Sequence, residues 1–249
     1  MFKYAIVRKP SINFHKGITT SNLGKPNYKK TLKQHFNYYE ALLKCGLKLI
    51  VLDADDKFPD SCFVEDTAII LNKIAIITKL KYKSRQGEEK EIQKILSKYK
   101  TIKKIKEKGT IEGGDVVKFN KHFFIGRSKR TNLNGSKQLS NILEKYNYSS
   151  SEIKVKKQPH LDSGVSYIGY NNFICIKNYS NYFKDSNVLI VNDNQDYYAN
   201  CLFINDFLLI AKGFKDKIKF KNMNYKTIEL DMSEFRKMDG SLSCLSLLF

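Results

Sequence analysis

The chain has 249 residues, of which 42% are hydrophobic, and its 44 lysines and arginines against 25 acidic residues give a formal net charge of +19. This is enough apolar material for one sizeable core, while no apolar run approaches the roughly 18 residues of a membrane span and the N-terminal stretch is too short for a signal peptide. We therefore expect a cytoplasmic protein without a membrane partner, and the five cysteines, with no CxxC pair, argue against a disulfide framework or a structural zinc site.

The positive charge raises the alternative of a nucleic-acid partner, because a cationic surface attracts phosphates. Specific readers of phosphates and bases favour arginine, however, and this chain has five arginines among its 44 basic residues. The lysines are densest over residues 79–109, around an amphipathic pattern of apolar side chains that is typical of a solvated helix face. We therefore predict no nucleic-acid partner. The apolar positions of that pattern are Ile92, Ile95, Leu96 and Tyr99.

Helical patterns alternate with pairs of short apolar strands along the chain. The first helix is expected over residues 27–46, with apolar positions at Leu32, Phe36, Tyr39 and Leu43 and with Gly46 able to end it. Later helices are expected within residues 88–100, 132–147 and 231–238. The four strand pairs should be hairpins, because Asn and Asp tolerate the left-handed backbone of tight turns. Their predicted turns are Asn72-Lys73, Asn120-Lys121, Asn171-Asn172 and Asn205-Asp206.

This recurrence of one strand–turn–strand–helix–strand unit predicts a closed, pseudo-symmetric α/β fold. A polar cluster precedes each hairpin, at residues 59–66, 109–115, 159–164 and 197–200. Because each cluster occupies the same end of its unit, the clusters should converge on a central axis and form one composite site.

The polar residues at these strand entrances are one thiol, one imidazole and several carboxylates. A thiolate beside an imidazole is a nucleophile with its acid–base partner. Several carboxylates around one pocket need a cation, and since no HExxH-type metal motif is present, a planar guanidinium fits them best. Such a substrate would also help to stabilise the thiolate. The set comprises Asp60, Glu65, Asp66, Glu112, Asp115, His160, Asp162 and Cys244.

Structural explanations for these residues remain open from the sequence alone. Cys244 belongs to an apolar C-terminal segment that predicts a strand, where a cysteine is usually a core residue. His160 and Asp162 would share one side of an extended chain, and either can be a structural residue. Asp115 and Asp162 adjoin turns, and their carboxylates could simply accept hydrogen bonds from backbone amides.

Six ordered motifs make the chain resemble the dimethylarginine dimethylaminohydrolases of the guanidino-group-modifying superfamily, over essentially residues 1–249. They are FPDSCFVED, GTIEGGD, SKRTN, HLDSG, YYANC and DGSLSCLSLLF. The resemblance implies a single catalytic domain with the five-bladed α/β propeller called the pentein fold, built from ββαβ units. It also implies hydrolysis of a guanidino amino acid to citrulline without a metal or other cofactor, and exposed sheet edges leave a homodimer open.

The resemblance also implies roles for individual residues. Cys244 matches the nucleophile, His160 the general acid and base, and Glu112 a catalytic carboxylate that grips the guanidinium. The matching substrate-binding positions include a lid-loop backbone contact to the substrate amino group, carboxylates that line the pocket, and two arginines that hold the substrate α-carboxylate. In that order they are Ile18; Asp60, Glu65 and Asp66; and Arg85 and Arg130.

Asp162 departs from the dimethylarginine pattern. The His-x-Asp pair resembles the one in arginine deiminases, where the aspartate bonds a free guanidinium nitrogen. A methylated nitrogen has fewer N–H donors, so a buried carboxylate facing it would lack partners. Asp162 therefore favours unmethylated arginine, which is the alternative. The compact length and the flanking motifs resemble the dimethylarginine family instead, so the predicted substrate is dimethylarginine or monomethylarginine.

Overall fold

A computed structural model describes residues 1–192, 194–220 and 223–249 with their side chains, and residues 193, 221 and 222 by their backbone alone. The strands form five three-stranded sheets, and the chain termini share one of them. Within the described residues, no helix combines the length and the apolar character that crossing a membrane requires. The sheets are β15–β1–β2, β3–β4–β5, β6–β7–β8, β9–β10–β11 and β12–β13–β14.

The strands are short. Their bounds are β1 Tyr4–Arg8, β2 Lys48–Leu52, β3 Ala68–Ile70, β4 Ile74–Ile77, β5 Thr101–Lys104, β6 Val116–Phe119, β7 His122–Arg127, β8 Ser149–Lys154, β9 Val165–Tyr167, β10 Asn172–Cys175, β11 Asn187–Ile190, β12 Leu202–Ile204, β13 Phe207–Ala211, β14 Lys226–Leu230 and β15 Leu247–Leu248. The helices are α1 Tyr28–Lys44, α2 Glu89–Leu96, α3 Leu133–Glu144, α4 Ile218–Asn222 and α5 Ser233–Arg236.

Each sheet repeats one pairing pattern, which confirms the predicted five-bladed α/β propeller. The first strand pairs antiparallel with the second, and the second pairs parallel with the third. The terminal sheet copies this pattern because β15 supplies the strand antiparallel to β1. The first strands of the blades line one cavity along the axis. The loops that enter these strands therefore meet at one end of the axis.

Left-handed turns lie at three of the four predicted positions, one of them shifted, whereas the prediction is wrong at Asn72-Lys73, where neither residue has a positive φ. Asn120 has a φ of 54°, and Asn205 and Asp206 have φ values of 45° and 71°. The prediction of Asn171-Asn172 is wrong by one residue, because Tyr170 and Asn171 take the positive φ values and Asn172 already begins β10. The Asn172 side chain instead donates to the carbonyls of the turn itself.

The face of α1 that packs inward differs from the predicted apolar face. Leu32, Phe36 and Leu43 are exposed, with Phe36 59% accessible. The buried face carries Tyr38 and several polar residues instead. Tyr38 is fully buried, and its hydroxyl lies 2.9 Å from the Leu242 carbonyl oxygen and 2.8 Å from Ser246 Oγ. The inner face of α1 therefore combines buried apolar side chains, Ala41 and Leu42, with a tyrosine hydroxyl bound to the C-terminal segment.

The other predicted helices exist but are shorter. In α2, Ile92 and Leu96 are buried as expected, whereas Tyr99 lies beyond the helix end and is 45% exposed. In the fourth blade, a 3-10 helix at Lys177–Phe183 replaces the α-helix between the second and third strands.

Close packing of α3 on the loop before β6 generates a stability prediction. A Cβ at Gly135 would lie 2.1 Å from the Thr110 carbonyl oxygen. Gly135→Ala should therefore lower the free energy of unfolding by about 1–3 kcal/mol, the range for overpacking, measured by denaturant unfolding. The control is Lys137→Ala, at an exposed position of the same helix, which should change the free energy of unfolding little. A Gly135→Ala protein as stable as this control would contradict the packing.

Candidate active site

The five loops that enter the first strands bring the predicted site residues together. Glu65 and Asp66 lie in a one-turn 3-10 helix before β3, and Glu112 directly precedes another turn before β6. Cys244 lies in a 3-10 turn at Ser243–Leu245 before β15, so its predicted placement in a strand is wrong. His160 and Asp162 lie in an irregular turn and not in the extended chain we expected.

Asp115 is a structural residue that ties neighbouring loops together at this end of the molecule. Its Oδ1 accepts a hydrogen bond from the backbone amide of Leu161 at 3.1 Å. Its Oδ2 accepts from the hydroxyls of Ser128 and Thr131, each at 2.6 Å. A single buried carboxylate therefore joins the loop before β9 to the loop after β7.

A backbone hydrogen bond joins the same loop to the loop before β6. The Asp162 amide donates to the Gly114 carbonyl at 2.9 Å. Because both partners are backbone groups, the spacing of the two loops does not depend on side-chain rotamers. The loop that carries His160 is thus fixed against the loop that carries Glu112.

His160 and Glu112 form the centre of a buried charge cluster. His160 Nε2 lies 2.9 Å from Glu112 Oε2 and 3.5 Å from Asp66 Oδ1. Burial by itself would lower the pKa of His160, but the charge of Asp66 and the hydrogen bond to Glu112 raise it to about 9. The imidazole is therefore protonated near neutral pH and has a proton to give.

Two arginines balance the carboxylates of this cluster. Arg130 Nη1 lies 3.1 Å from Glu112 Oε2, and Arg85 Nη1 lies 2.7 Å from Asp66 Oδ2. Burial would raise the pKa of Glu112, but the hydrogen bond with His160 and the positive charges of His160 and both arginines hold it well below its usual range. Glu112 therefore remains a carboxylate while His160 carries a proton.

Arg85 is fully buried, and its partners bear on its expected role. Glu88, a residue that we did not predict, takes hydrogen bonds from Arg85 Nε and Nη2, and Phe63 supplies a carbonyl to Nη2. The resemblance assigned Arg85 to the substrate α-carboxylate, whereas here most of its N–H groups bind the protein. The spacing of Arg85 and Glu88, three residues apart in chain order, was the available signal for this pair.

Cys244 lies in a second cluster with two carboxylates. Its Sγ and one oxygen each of Glu65 and Asp162 all lie within 4.8 Å of one another. Burial and the negative charges of Asp162 and Glu65 raise the pKa of the Cys244 thiol well above its usual value. The thiol is therefore neutral until a cation enters and offsets these charges.

Asp162 is held in this cluster by two residues that the sequence analysis missed. Ser243 Oγ donates to Asp162 Oδ2 at 2.5 Å, and Asn200 Nδ2 donates to Ser243 Oγ at 2.9 Å. Asn200 ends the polar stretch before β12, and this position was its signal in the sequence. Among the described residues, no N–H or hydroxyl group donates to buried Asp162 Oδ1 or Glu65 Oε2.

Gly114 is where the two clusters adjoin. A Cβ at this position would lie 2.9 Å from His160 Nδ1 and 3.2 Å from Asp162 Oδ1. The imidazole and this carboxylate oxygen therefore both pack against the backbone of Gly114, and a larger side chain at this position would clash with them. Cys244, His160, Glu65, Asp66, Glu112 and Asp162 therefore lie in two adjoining clusters at the same end of the axis.

The remaining predicted residues lie at the entrance. Both Asp60 carboxylate oxygens accept from the Ile18 amide, at 3.1 and 3.2 Å. Thr20 is tied to the opposite loop, because its amide and hydroxyl both donate to Asp239 Oδ2. Residues 18–20 therefore cover the side of the site where Asp60 lies.

Two groups of three side chains are spaced closely enough to hold a metal ion. They are Glu65, Asp162 and Cys244, and Asp66, Glu112 and His160. In the second group the arginines already neutralise the carboxylates, and a protonated imidazole cannot ligate a metal. The first group combines a thiol with two carboxylates that each keep one oxygen without a donor among the described residues, which suits a cation carrying N–H groups.

Comparisons with known proteins agree with this geometry. A family model described as "N,N dimethylarginine dimethylhydrolase, eukaryotic" matches residues 11–178. The dimethylarginine dimethylaminohydrolase of Pseudomonas aeruginosa is 37% identical, over the full length of both chains. Its structure in complex with citrulline has a TM-score of 0.98, again covering 100% of each chain.

A more distant structure has the same fold. The N-terminal domain of ArgZ, an arginine dihydrolase from cyanobacteria, has a TM-score of 0.87 at 17% identity, covering 98% of this chain and 97% of that domain. The family model and the full-length identity, together with the thiol, imidazole and carboxylates assembled at the axis, show that the chain belongs to the dimethylarginine dimethylaminohydrolase family.

Proposed function

We propose that the protein hydrolyses the guanidino group of a methylated arginine, N-omega,N-omega-dimethylarginine or the monomethyl form, to citrulline and the corresponding amine. The observation that carries this proposal is the Cys244 thiol beside Glu65 and Asp162, each of which has an oxygen without a donor in the described chain. A guanidinium supplies such donors and a positive charge in one planar group. The named activity of the full-length Pseudomonas relative supports the methylated substrate.

Binding of the cation prepares the nucleophile. The guanidinium charge opposes the negative charges that raise the pKa of Cys244, so the thiolate forms when substrate is present. Glu112 and Asp66 bind guanidinium nitrogens and fix the carbon in line with the sulfur. We infer that Asp60, beside the Ile18 amide, binds the amino end of the substrate and that Arg130, beside Glu112, binds its carboxylate.

His160 then moves the proton that each step needs. The thiolate attacks the guanidinium carbon, and His160 protonates the departing amine, so that no amide anion is expelled. The carbon–nitrogen bond breaks and leaves an S-alkylthiouronium on Cys244. His160, now neutral, takes a proton from the attacking water, and collapse releases citrulline and restores the thiol.

A second substrate, unmethylated arginine, is supported by one observation. Asp162 Oδ1 is buried and accepts from no donor in the described chain, and a free NH₂ group offers it a donor that a dimethylated nitrogen lacks. Arginine deimination, with ammonia as the other product, is therefore the second candidate function.

Assays of citrulline release test the proposed function directly. We expect turnover with dimethylarginine, less with arginine and none with agmatine, which lacks the α-carboxylate. Cys244→Ser should lower kcat by at least about 1000-fold because a hydroxyl ionises far less readily than a thiol. Cys45→Ser, at a buried cysteine outside the site, is the matched control. No turnover of any guanidine by the folded wild type would refute the proposal.

The charge cluster predicts a titration of His160. Its pKa of about 9 means that the protonated form, which can act as the acid, is present below that pH and is lost above it. Glu112→Gln removes a hydrogen-bonded anion, so the pKa of His160 should fall by about one unit or more, measured by NMR titration of the ring proton. Glu144→Gln, on the exposed face of α3, should leave it unchanged. An unaltered midpoint in Glu112→Gln would refute the coupling.

Asp162 should set the preference between the two substrates. Asp162→Thr removes the carboxylate that needs an N–H donor, so the ratio of kcat/KM for dimethylarginine to that for arginine should rise about tenfold or more. Asp162→Asn keeps the shape without the charge and separates the contribution of charge from that of bulk. A ratio equal to that of the wild type in both variants would mean that Asp162 is only structural.

A further inference from the structure

The five first strands enclose a cavity of about 300 Å³ along the propeller axis. One end is formed by Glu65, Asp162 and Ser243, at the reactive centre. Farther along the strands, the walls carry side chains such as Lys118 and Phe203. Since these strands lead away from the catalytic loops, the cavity approaches the reactive centre from the side opposite to the entrance covered by residues 18–20.

Acceptors outnumber donors at the inner end of this axial cavity, where the Ser243 hydroxyl donates to Asp162 Oδ2. Asp162 is 6% exposed, and no other described residue donates to Asp162 Oδ1 or Glu65 Oε2, which leaves these two oxygens the proton that the carboxyl pair shares. A buried carboxylate oxygen without a donor is costly, so this end favours an occupant that carries N–H or O–H groups.

The walls next to these oxygens are mostly aliphatic, with Ser166 and Ser246 among them. Ala68, Val165, Leu202 and Leu247 line the cavity between its two ends. Aliphatic walls beside two acceptor oxygens fit a small ion with N–H donors on one side and methyl groups on the other. A substituted ammonium ion has both features.

We propose that the inner end of the axial cavity binds the small ammonium ion released by the reaction, and that the cavity is its route out of the protein. The inference rests on the proposed function, because only hydrolysis of a guanidinium generates this ion beside Cys244. The amino acid part of the substrate would occupy the entrance near Asp60, so the leaving nitrogen lies toward the axis.

The proton balance of the step is complete. When the carbon–nitrogen bond breaks, the amine leaves with the proton of His160. It takes a second proton from the Glu65–Asp162 pair, because burial and the mutual repulsion of the two carboxyl groups raise the pKa of Glu65 well above its usual value and keep a proton on the pair. The product is an ammonium ion facing two carboxylates, and the pair regains one proton from solvent when the ion leaves, so no oxidant or other reactant is needed.

Binding of dimethylammonium chloride to the intact protein tests the site without turnover. We expect a Kd of about 1 mM, near the limit for three non-hydrogen atoms, by isothermal titration or NMR. Sodium chloride at equal concentration is the control for ionic strength. Equal effects of the two salts would overturn the proposal.

Variants that narrow the cavity locate the site. Leu202→Phe and Ile70→Phe each replace an aliphatic side chain in the cavity wall with a bulkier aromatic ring, from two different blades. Each should weaken dimethylammonium binding at least tenfold. The matched controls, Leu189→Phe and Ile95→Phe, enlarge partly buried side chains elsewhere and should bind as the wild type does. Unchanged binding in whichever cavity variants fold would overturn the assignment.

Dimethylammonium binding and guanidine turnover, measured separately, distinguish this proposal from the proposed function. If guanidines are hydrolysed but dimethylammonium does not bind, the axial site is wrong and the proposed function stands. If dimethylammonium binds in the cavity but no guanidine is turned over, the proposed function fails and, because the site was inferred as a product site, its assignment to the released amine fails with it.

Discussion

The negative charge buried at the propeller axis is the constraint on which the site depends. Glu65, Asp66, Glu112 and Asp162 converge on one small volume, and Arg85, Arg130 and His160 balance only the half around Glu112. The other half keeps the Cys244 thiol neutral until a cation arrives. In the proposed reaction, the substrate is thus the missing counter-ion, and its binding activates the nucleophile.

The fold supplies this arrangement by placing each charged residue in a loop that enters a first strand. Hydrogen bonds between neighbouring loops then fix their positions, as Asp115 does for the His160 loop and Asn200 for the Ser243 loop. Tyr38 of α1 reaches the same C-terminal segment from outside. The site is therefore positioned by contacts between blades, so changes at these contacts can alter the chemistry without touching substrate.

Repetition made the architecture predictable, and the motifs indicated which polar residues would lie together at the axis. Sequence-based predictions were wrong where tertiary contacts override the local pattern. Leu32 and Phe36 followed an apolar periodicity, yet the neighbouring face of α1, which carries Tyr38, Ala41 and Leu42, packs inward. Asn200 was missed because its role depends on partners that only the folded chain brings near, whereas Glu88 had a local signal in its spacing from Arg85. Cys244 lies in a turn because its loop must bend toward the axis.

The pH dependence of Cys244 alkylation by iodoacetamide tests the central claim most directly. In the free protein, alkylation should reach half its maximal rate above the ordinary thiol pKa of about 8.5. The double variant Glu65→Gln/Asp162→Asn should lower this midpoint because it removes the negative charge that the carboxyl pair carries. A wild-type midpoint below the ordinary value, unchanged by the double variant, would show that the thiolate forms without substrate and would contradict the account.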